Sequence, residues 1–533
     1  MILNPYKKLT YVLFVALAIF ILLTFKQYGI SNDEEVQHVY GQLLLKFYQS
    51  GFTDLSAFTY KNLYLYGGLF DLVAATLEKI LPLWVWDIRH LLSAIFGFAG
   101  IVAVYKCTRE LADERAAFLA VLLLSITGAW TGAMFTHTKD VSFGACMMWA
   151  LYYTLLISKH LPRIPLLLSL KLGVAVGLAL GLRIGGAFAV IYLLLLVLIA
   201  GLLRTNKLQE KLSFYWQSVL GLLPAGVVAF ILMALCWPWA VMGLDHILIA
   251  AKSFSHFTFD METILNGRYL KIGDVPNIYL MQYLGVRLPE VFLLGLFSVT
   301  AIFLFKIKRI DFSKQLPKLT VAIALLTPLL FVLFDRPALY NGVRHFTFIL
   351  PVLAIVAGIG LSQVFQLLAS YKKLRLGFTA FCLLFISTTA YTLYSLHPYE
   401  YIYYNQFAGN SFKKAIHDWE GDYWSSSLIE ATTALEKYID LEQQKTPNNP
   451  HVYSVAVCAE AFQGRAYLDK RFTVTEDWVV ADFFISSTIM HCDKVLQGKV
   501  IASITRLDAP VAIVKDRRNL TGEDRRPHAP PRD

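Results

Sequence analysis

Directly after the first long apolar run the chain reads Ser31-Asn32-Asp33-Glu34-Glu35, three successive carboxylates in a protein that otherwise carries little charge. A carboxylate within hydrogen-bond reach of a nucleophile can take its proton, a contribution on the order of 10²- to 10⁴-fold in rate. Four cations stand near the ends of later apolar runs: Lys139, Arg183, Arg344 and His345. Such groups stabilise an oxygen that gains charge as a bond breaks, and the planar fork of arginine suits anionic oxygens well. Asp140 adjoins Lys139, and His38 and Tyr40 follow the acidic cluster closely enough to line the same site. These residue types fit a group transfer in which a base accepts a proton and cations receive an anionic leaving group.

Each residue also has a plainer role open to it. Asp33 and Glu34 could cap a helix starting near Glu35, because acidic side chains favour helix N-termini. Lys139, Arg183 and Arg344 could snorkel to lipid headgroups, and Asp140 could pair with an arginine or cap the next helix. Convergence in space is what separates these readings.

The elements that must bring the residues together are membrane spans. Of 533 residues 56% are hydrophobic and 16% charged, with a mean hydropathy of +0.53, whereas soluble domains carry about 25% charge. Runs of about 20 residues, enough to cross a hydrocarbon core, fall near 9–28, 88–107, 116–134, 141–158, 165–182, 185–203, 216–236, 290–306, 319–335, 346–367 and 376–395. The first run is long and lacks a small-residue cleavage site, so it is expected to remain as a span.

The net charge of +10 belongs to short loops and does not form a nucleic-acid patch. Lys7 and Lys8, Lys106–Arg115, Lys159–Arg163, Arg204–Lys211, Lys306–Lys318 and Lys372–Arg375 all fall before the first span or in even-numbered gaps. That alternation places them, with the N-terminus, on the cytoplasmic side. The odd-numbered gaps then face outward and hold Asp33–Glu35, His137–Asp140, Arg183, Trp237–Glu290 and Asp335–His345. The residues with chemical potential therefore share one face.

Residues 61–82 carry Asp71, Glu78 and Lys79, which suits an interfacial helix in the first outer loop (29–87) better than a crossing. The long outer loop 237–289 contains Trp237, Trp239, His246, His256, Asp260, Glu262, Arg268 and Tyr269, which could clamp an acceptor or simply cover the membrane surface. From 397 onward membrane character is lost. Residues 397–404 have boundary-like aromatics, 411–445 reads as helix, and short β-rich runs follow at Val452–Val457, Phe483–Ile489, Val500–Ile504 and Val511–Val514. An extramembrane α/β domain over 397–516 is expected, then a disordered tail over 517–533. Within it, Asp418-Trp419-Glu420-Gly421-Asp422-Tyr423-Trp424 mixes acids and aromatics, as sugar-binding surfaces do and as a packed helix end also does.

Cys107, Cys146, Cys236 and Cys382 lie in or beside spans and read as small packed hydrophobes. Cys458 and Cys492 could pair in an oxidising compartment. Zinc spacing, a Walker loop, a dinucleotide fingerprint and a nucleophile-elbow serine are missing from the sequence, so nothing in it supports an ATP-driven pump or a serine hydrolase.

The first span with Asp33-Glu34 just outside it, Lys139-Asp140 in the second outer loop, Arg183 with Gly185-Gly186 in the third and Arg344-His345 late in the bundle resemble the GT-C superfamily of integral-membrane glycosyltransferases. The likeness, strongest over 1–190, is to glycosyltransferase family 39, the protein O-mannosyltransferase and aminoarabinose-transferase branch.

The resemblance implies a polytopic α-helical membrane protein of about eleven spans with a small C-terminal α/β extramembrane domain. It also implies a polyprenyl-phosphate-linked sugar as donor, membrane lipid as surroundings, an unspecified protein, lipid or glycan acceptor, and no nucleic acid. Inverting transfer would occur on the periplasmic or lumenal face. Asp33 maps to the base, with Glu34 beside it as orienter or second candidate. Lys139, Asp140, Arg183, Arg344, His345, His38 and Tyr40 then fall to substrate or leaving phosphate. No cofactor and no metal site are assigned, and a divalent ion stays open because relatives differ in needing one. The competing class is a transporter or lipid-linked sugar flippase, which should show internal repeats and mid-span ionisable residues.

Overall fold

The computed structural model describes residues 4–204, 206–255, 261–306, 315–445 and 451–528. Every expected span contains a helix. α1 (Pro5–Thr24) is followed by α2 (Glu34–Gln49) and α3 (Leu69–Leu77), which lie between the first and second spans, and then by α4 (Val85–Leu111). The third span is broken: α5 (Glu114–Ser125) gives way to α6 (Gly128–Thr131) and α7 (Ala133–Thr136) with a bend of 69°. α8 (Thr138–Ser158), α9 (Leu166–Leu180), α10 (Ala187–Arg204) and α11 (Leu208–Cys236) continue the bundle. Helices Glu290–Lys306, Leu316–Asp335, Leu350–Leu367 and Lys372–Leu396 complete it.

Among the described residues, 8 helices are long and apolar enough to cross a membrane, or up to 10 if each bent pair is one span. α9 is shorter, at 15 residues. The protein is an integral, multi-pass α-helical membrane protein.

Exposed apolar side chains mark the faces that meet lipid, such as Val12 and Leu23 on α1, Leu223 and Phe230 on α11, and Leu376 and Leu384 on the last span helix. α8 is instead buried along nearly its whole length, which makes it the centre of the bundle. A groove of about 370 Å³ opens among α4, α8 and α9, lined by Phe96, Trp149, Tyr153 and Lys171, away from the acidic and basic residues singled out above.

The broken span accepts the aromatic boundary segment because two glycines let backbone touch backbone. A Cβ on Gly128 would lie 2.1 Å from the Glu400 carbonyl oxygen, and one on Gly132 would lie 2.4 Å from the Tyr401 amide nitrogen. Residues 61–82 differ from the single interfacial helix expected. They form a 3-10 turn at Leu63–Leu65 and the nine-residue α3, because the Gly68 and Leu69 amides donate to the Cys236 and Gly181 carbonyls at the ends of α11 and α9.

The C-terminal part opens with Phe412–Asp418 and Leu428–Lys445, two helices where one was expected, split by the 419–427 strip. The second buries Leu428, Ala431, Leu435 and Ile439, one stripe at helical spacing, against a five-stranded sheet. Across the sheet the strands run Phe472–Val474, Tyr453–Cys458, Phe483–Ser487, Ala509–Asp516 and Lys499–Arg506; the first three are mutually parallel, and Ala509–Asp516 is antiparallel to both of its neighbours. Cys458 and Cys492 are joined by a disulfide, Cα–Cα 6.1 Å.

The tail expected to be disordered from 517 is docked through 528. Arg517 is buried, with its guanidinium donating to the Gln497 carbonyl at 3.1 Å and to carbonyls of Trp478 and Arg525. A polar composition does not prevent docking when one arginine can satisfy several backbone acceptors. Residues 529–533 lie outside the described residues.

Candidate functional site

Four of the residues singled out in the sequence form one continuous chain of ion pairs. α2 begins at Glu34, so Asp33 occupies the N-cap position, yet its side chain makes no capping hydrogen bond. It reaches instead to Arg344 Nη2, while Arg344 Nε lies 3.3 Å from Asp140 Oδ2. Arg344 opens the 3-10 stretch Arg344–Ile349 that leads into helix Leu350–Leu367. Arg183 sits in extended backbone at the break after α9, followed by the Ile184–Gly186 turn, and its Nη2 pairs with Asp140 Oδ1. The order is Asp33, Arg344, Asp140, Arg183, alternating in sign, drawn from four separate segments.

A second cluster lies beneath the first. Asp71 on α3 accepts from Arg89 Nη2 at 2.9 Å and pairs with Lys139 Nζ at 3.0 Å. Glu34 lies 3.8 Å from Arg89 Nε and 3.2 Å from His90 Nε2, and accepts the Ser31 backbone N–H at 2.7 Å. Arg89 Nη2 and the Thr138 hydroxyl both donate to Gln37 Oε1, at 3.2 and 2.6 Å. Charge this deep is costly to bury and persists only where it is paired.

Helix geometry explains why neighbours in sequence serve different clusters. Consecutive helical residues diverge by about 100°, so Asp140 turns to the two arginines while Lys139 turns to Asp71. Asp33 and Glu34 divide in the same way.

Glu34, expected to assist Asp33 in catalysis, is fully enclosed by Arg89, His90 and the Ser31 amide, whereas the Asp33 side chain is 40% exposed. Lys139, expected at a leaving phosphate, is held between Asp71 and the Tyr40 and Tyr66 rings, 5.5 and 5.2 Å away. Tyr40 thus borders the inner cluster, and its hydroxyl donates to the Tyr66 carbonyl. His38 pairs with Glu78 at 3.2 Å and packs edge-on to Trp86. It lies about 140° around α2 from Asp33, which turns it away from the ion-pair chain. His345 follows Arg344 and packs edge-on to Tyr340, ring centroids 4.6 Å apart.

Asp71, Arg89 and His90 were not expected at the site, although an arginine within an expected span was a signal in itself. His137, expected only to share the outer face, and the 423–424 pair, expected only as part of an acid–aromatic strip, meet each other beside Arg344. The Trp424 ring stacks under the Arg344 guanidinium at 4.0 Å, and its indole N–H donates to His137 Nε2 at 2.9 Å. Since indole nitrogen only donates, His137 Nε2 is an acceptor and Nδ1 carries the proton towards Thr136 Oγ1, 3.0 Å away.

The acids of the 418–424 strip do not face solvent as a sugar platform. Glu420 accepts from Thr263 Oγ1 at 2.6 Å and the Ile264 amide at 3.2 Å; Asp422 accepts from the Ser426 and Ser427 amides at 3.0 and 2.9 Å and from the Tyr401 hydroxyl. Burial pushes both carboxyls above their ordinary range, against these hydrogen bonds. Arg287, buried beside them, donates to the Tyr401, Tyr403 and Glu420 carbonyls.

In the long loop, the Trp237 indole donates to the Tyr64 carbonyl, Trp239 stacks on His246 at 4.0 Å, and Glu262, Arg268 and Tyr269 belong to the hairpin Glu262–Leu265/Arg268–Lys271. His256 and Asp260 lie outside the described residues. Among the described residues no group of 3 or more His, Cys, Asp or Glu side chains is arranged to hold a metal ion.

Residues 76–239 match the family model of dolichyl-phosphate-mannose-protein mannosyltransferases. No curated protein matches the chain. Among solved structures, ArnT of Cupriavidus metallidurans bound to undecaprenyl phosphate is similar, with 15% identity and a TM-score of 0.49 over 95% of this chain and 97% of that one. Archaeal oligosaccharyltransferase AglB of Archaeoglobus fulgidus, in complex with an inhibitory peptide and a dolichol-phosphate, has 14% identity and a TM-score of 0.49 over 91% and 70%. Arabinofuranosyltransferase AftD from mycobacteria has 12% identity and a TM-score of 0.44 over 96% and 40%. The family-model match bears out the resemblance to the protein O-mannosyltransferase branch over residues 76–239.

Proposed function

We propose that the protein transfers a sugar from a polyprenyl-phosphate carrier, dolichyl or undecaprenyl, to a hydroxyl or amine acceptor at the membrane face that bears the C-terminal domain. The matched family's description names a dolichyl-phosphate-linked mannose as donor. The alternation of basic loops puts the N-terminus in the cytoplasm and the C-terminal domain in a periplasm or lumen.

The acceptor atom attacks the anomeric carbon as the bond from that carbon to the phosphate oxygen breaks. The acceptor's proton passes to Asp33, and the polyprenyl phosphate departs with the bonding electron pair. Arg344 and Arg183 receive its charge, with their forks matched to phosphate oxygens. One direct displacement inverts the anomeric configuration. Asp140 holds both arginines in register, and Glu34 and Lys139 anchor the backbone beside the reacting residues.

The observation that carries this reading is the difference between neighbouring acids. Side-chain exposure is 40% for Asp33 but 0% for Glu34 and 4% for Asp140, so Asp33 is the carboxylate that an acceptor can reach while cations stand beside it. The test is to incubate purified protein in detergent with radiolabelled polyprenyl-phosphate sugars and follow release of free lipid phosphate. Wild type should consume a donor, and Asp33→Asn should lose transfer while inserting and folding normally. Near-normal turnover by that variant would remove Asp33 from the base role, and no consumption of any donor would remove the reading as a whole.

A further inference from the structure

The segment that carries Asp33 is held from outside the membrane bundle. Helix Ala461–Tyr467 of the C-terminal domain lies over residues 30–33: the Gln463 amide donates to the Ile30 carbonyl at 2.6 Å and to the Trp424 carbonyl at 3.0 Å, and the Tyr467 hydroxyl accepts the Ile30 N–H at 2.7 Å. Phe462 packs with Ile30 and Trp86 in a small apolar cluster. The Asn32 amide donates to the Tyr423 carbonyl at 3.3 Å. A Cβ on Gly29 would lie 2.0 Å from the Ser426 carbonyl oxygen, so the two backbones meet at a distance only glycine permits. Trp424, fixed by Gln463, stacks on Arg344, the partner of Asp33.

We propose that the C-terminal domain is a working part of the active site: Gln463 and Tyr467 are positioning residues that set Asp33, and Trp424 is a positioning residue that sets Arg344 against Asp33 and Asp140. This rests on the reading of Asp33 as the base. The buried cluster below fixes Glu34 and α2, but residues 29–33 lie between two helices. Their polar backbone groups at Ile30 find their partners in a domain more than 400 positions later in the chain. A carboxylate displaced by a fraction of an ångström from its acceptor loses rate without losing donor affinity, and Arg344 meets phosphate charge that develops only as the bond breaks, so both displacements fall on kcat.

The experiment uses the full-length protein in detergent and compares wild type, Tyr467→Phe, Gln463→Leu/Tyr467→Phe and Arg518→Ala. The last disturbs the same domain at Glu442 and Asp516, away from the contact. Three quantities are read: kcat and donor KM from lipid-phosphate release, and amide exchange of residues 29–34. The double variant should lose at least tenfold in kcat, keep donor KM within twofold and exchange faster at 29–34. Arg518→Ala should leave all three near wild type.

Tyr467→Phe alone removes a single hydroxyl and should show a smaller loss of the same kind, which keeps the test open if the double variant does not fold. Unchanged kcat and exchange, a matching fall in Arg518→Ala, or a loss expressed in KM would overturn the proposal. If Asp33→Asn retains turnover, the base assignment fails and this inference with it. If wild type consumes no donor, the functional reading fails, and unchanged exchange at 29–34 would still overturn the positioning contact.

Discussion

Asp71 is where the structure makes its sharpest demand. It is fully buried and is shared by Arg89 at 2.9 Å and Lys139 at 3.0 Å, with Glu34 as the only other acid of that cluster. Two acids face two strong cations, so Asp71→Asn leaves an excess positive charge buried away from bulk solvent. At 3.0 Å and an effective dielectric constant of about 20, one unit pair is worth about 5.5 kcal/mol. Removing one partner of a buried pair costs about 3–5 kcal/mol by experience with other proteins, a large part of a typical total stability of about 5–15 kcal/mol.

The informative comparison adds Lys139→Met. That single change strands a negative charge, but Asp71→Asn/Lys139→Met restores neutrality. The double variant should recover about 2–3 kcal/mol relative to the sum of the singles, measured by thermal or denaturant unfolding in detergent. Turnover then separates the two roles offered for Lys139. As an anchor, it is replaceable in the neutral pair, and lipid-phosphate release should return to within about tenfold of wild type. A folded but inactive double variant would return Lys139 to the substrate, and additive single effects would refute the charge argument.

Arg344 bridges Asp33 and Asp140 with different nitrogens, which a single ammonium cannot do. Arg344→Lys should therefore lose one charge-assisted bond, about 1.5–3 kcal/mol or roughly 10- to 100-fold in kcat/KM, and normal turnover would show that the bridge is dispensable. Because burial raises the Glu420 and Asp422 carboxyls, their protonated forms are favoured in the folded state. Their contribution to stability is full below about pH 4 and is lost as pH rises through the raised values. Glu420→Gln/Asp422→Asn should accordingly flatten the fall in melting temperature as pH rises above the ordinary carboxylate range, and a fall as steep as wild type would contradict it.

The spans were legible because apolar runs of sufficient length are set by composition alone. The meeting of Asp33, Asp140, Arg183 and Arg344 was legible because each sits at the same end of a span by the alternation of basic loops. The division between Asp33 and Glu34 was not. It depends on α2 starting at Glu34, one residue before the expected start, and a shift of one residue turns side chains by about 100°. Asp71 was read only as one of the charges that favour an interfacial helix, and its burial follows from backbone pairing of Gly68 and Leu69 with the ends of α11 and α9, which no local pattern announces. Gln463 and the pairing of Trp424 with Arg344 were invisible for a similar reason, since a contact across hundreds of residues leaves no trace in spacing, although Trp424 itself stood out in the acid–aromatic strip.

The two ion clusters are joined by covalent geometry at two places, residues 33–34 and 139–140. At each, one side chain enters the outer chain of ion pairs and its neighbour enters the buried cluster. The inner cluster therefore does more than stabilise the bundle. By gripping Glu34 and Lys139 it sets where Asp33 and Asp140 begin, and the two arginines then draw those carboxylates to a common line. Side chains that never touch substrate can govern turnover by this route, and their loss should appear first as misplaced Asp33 and Asp140 and only then as instability.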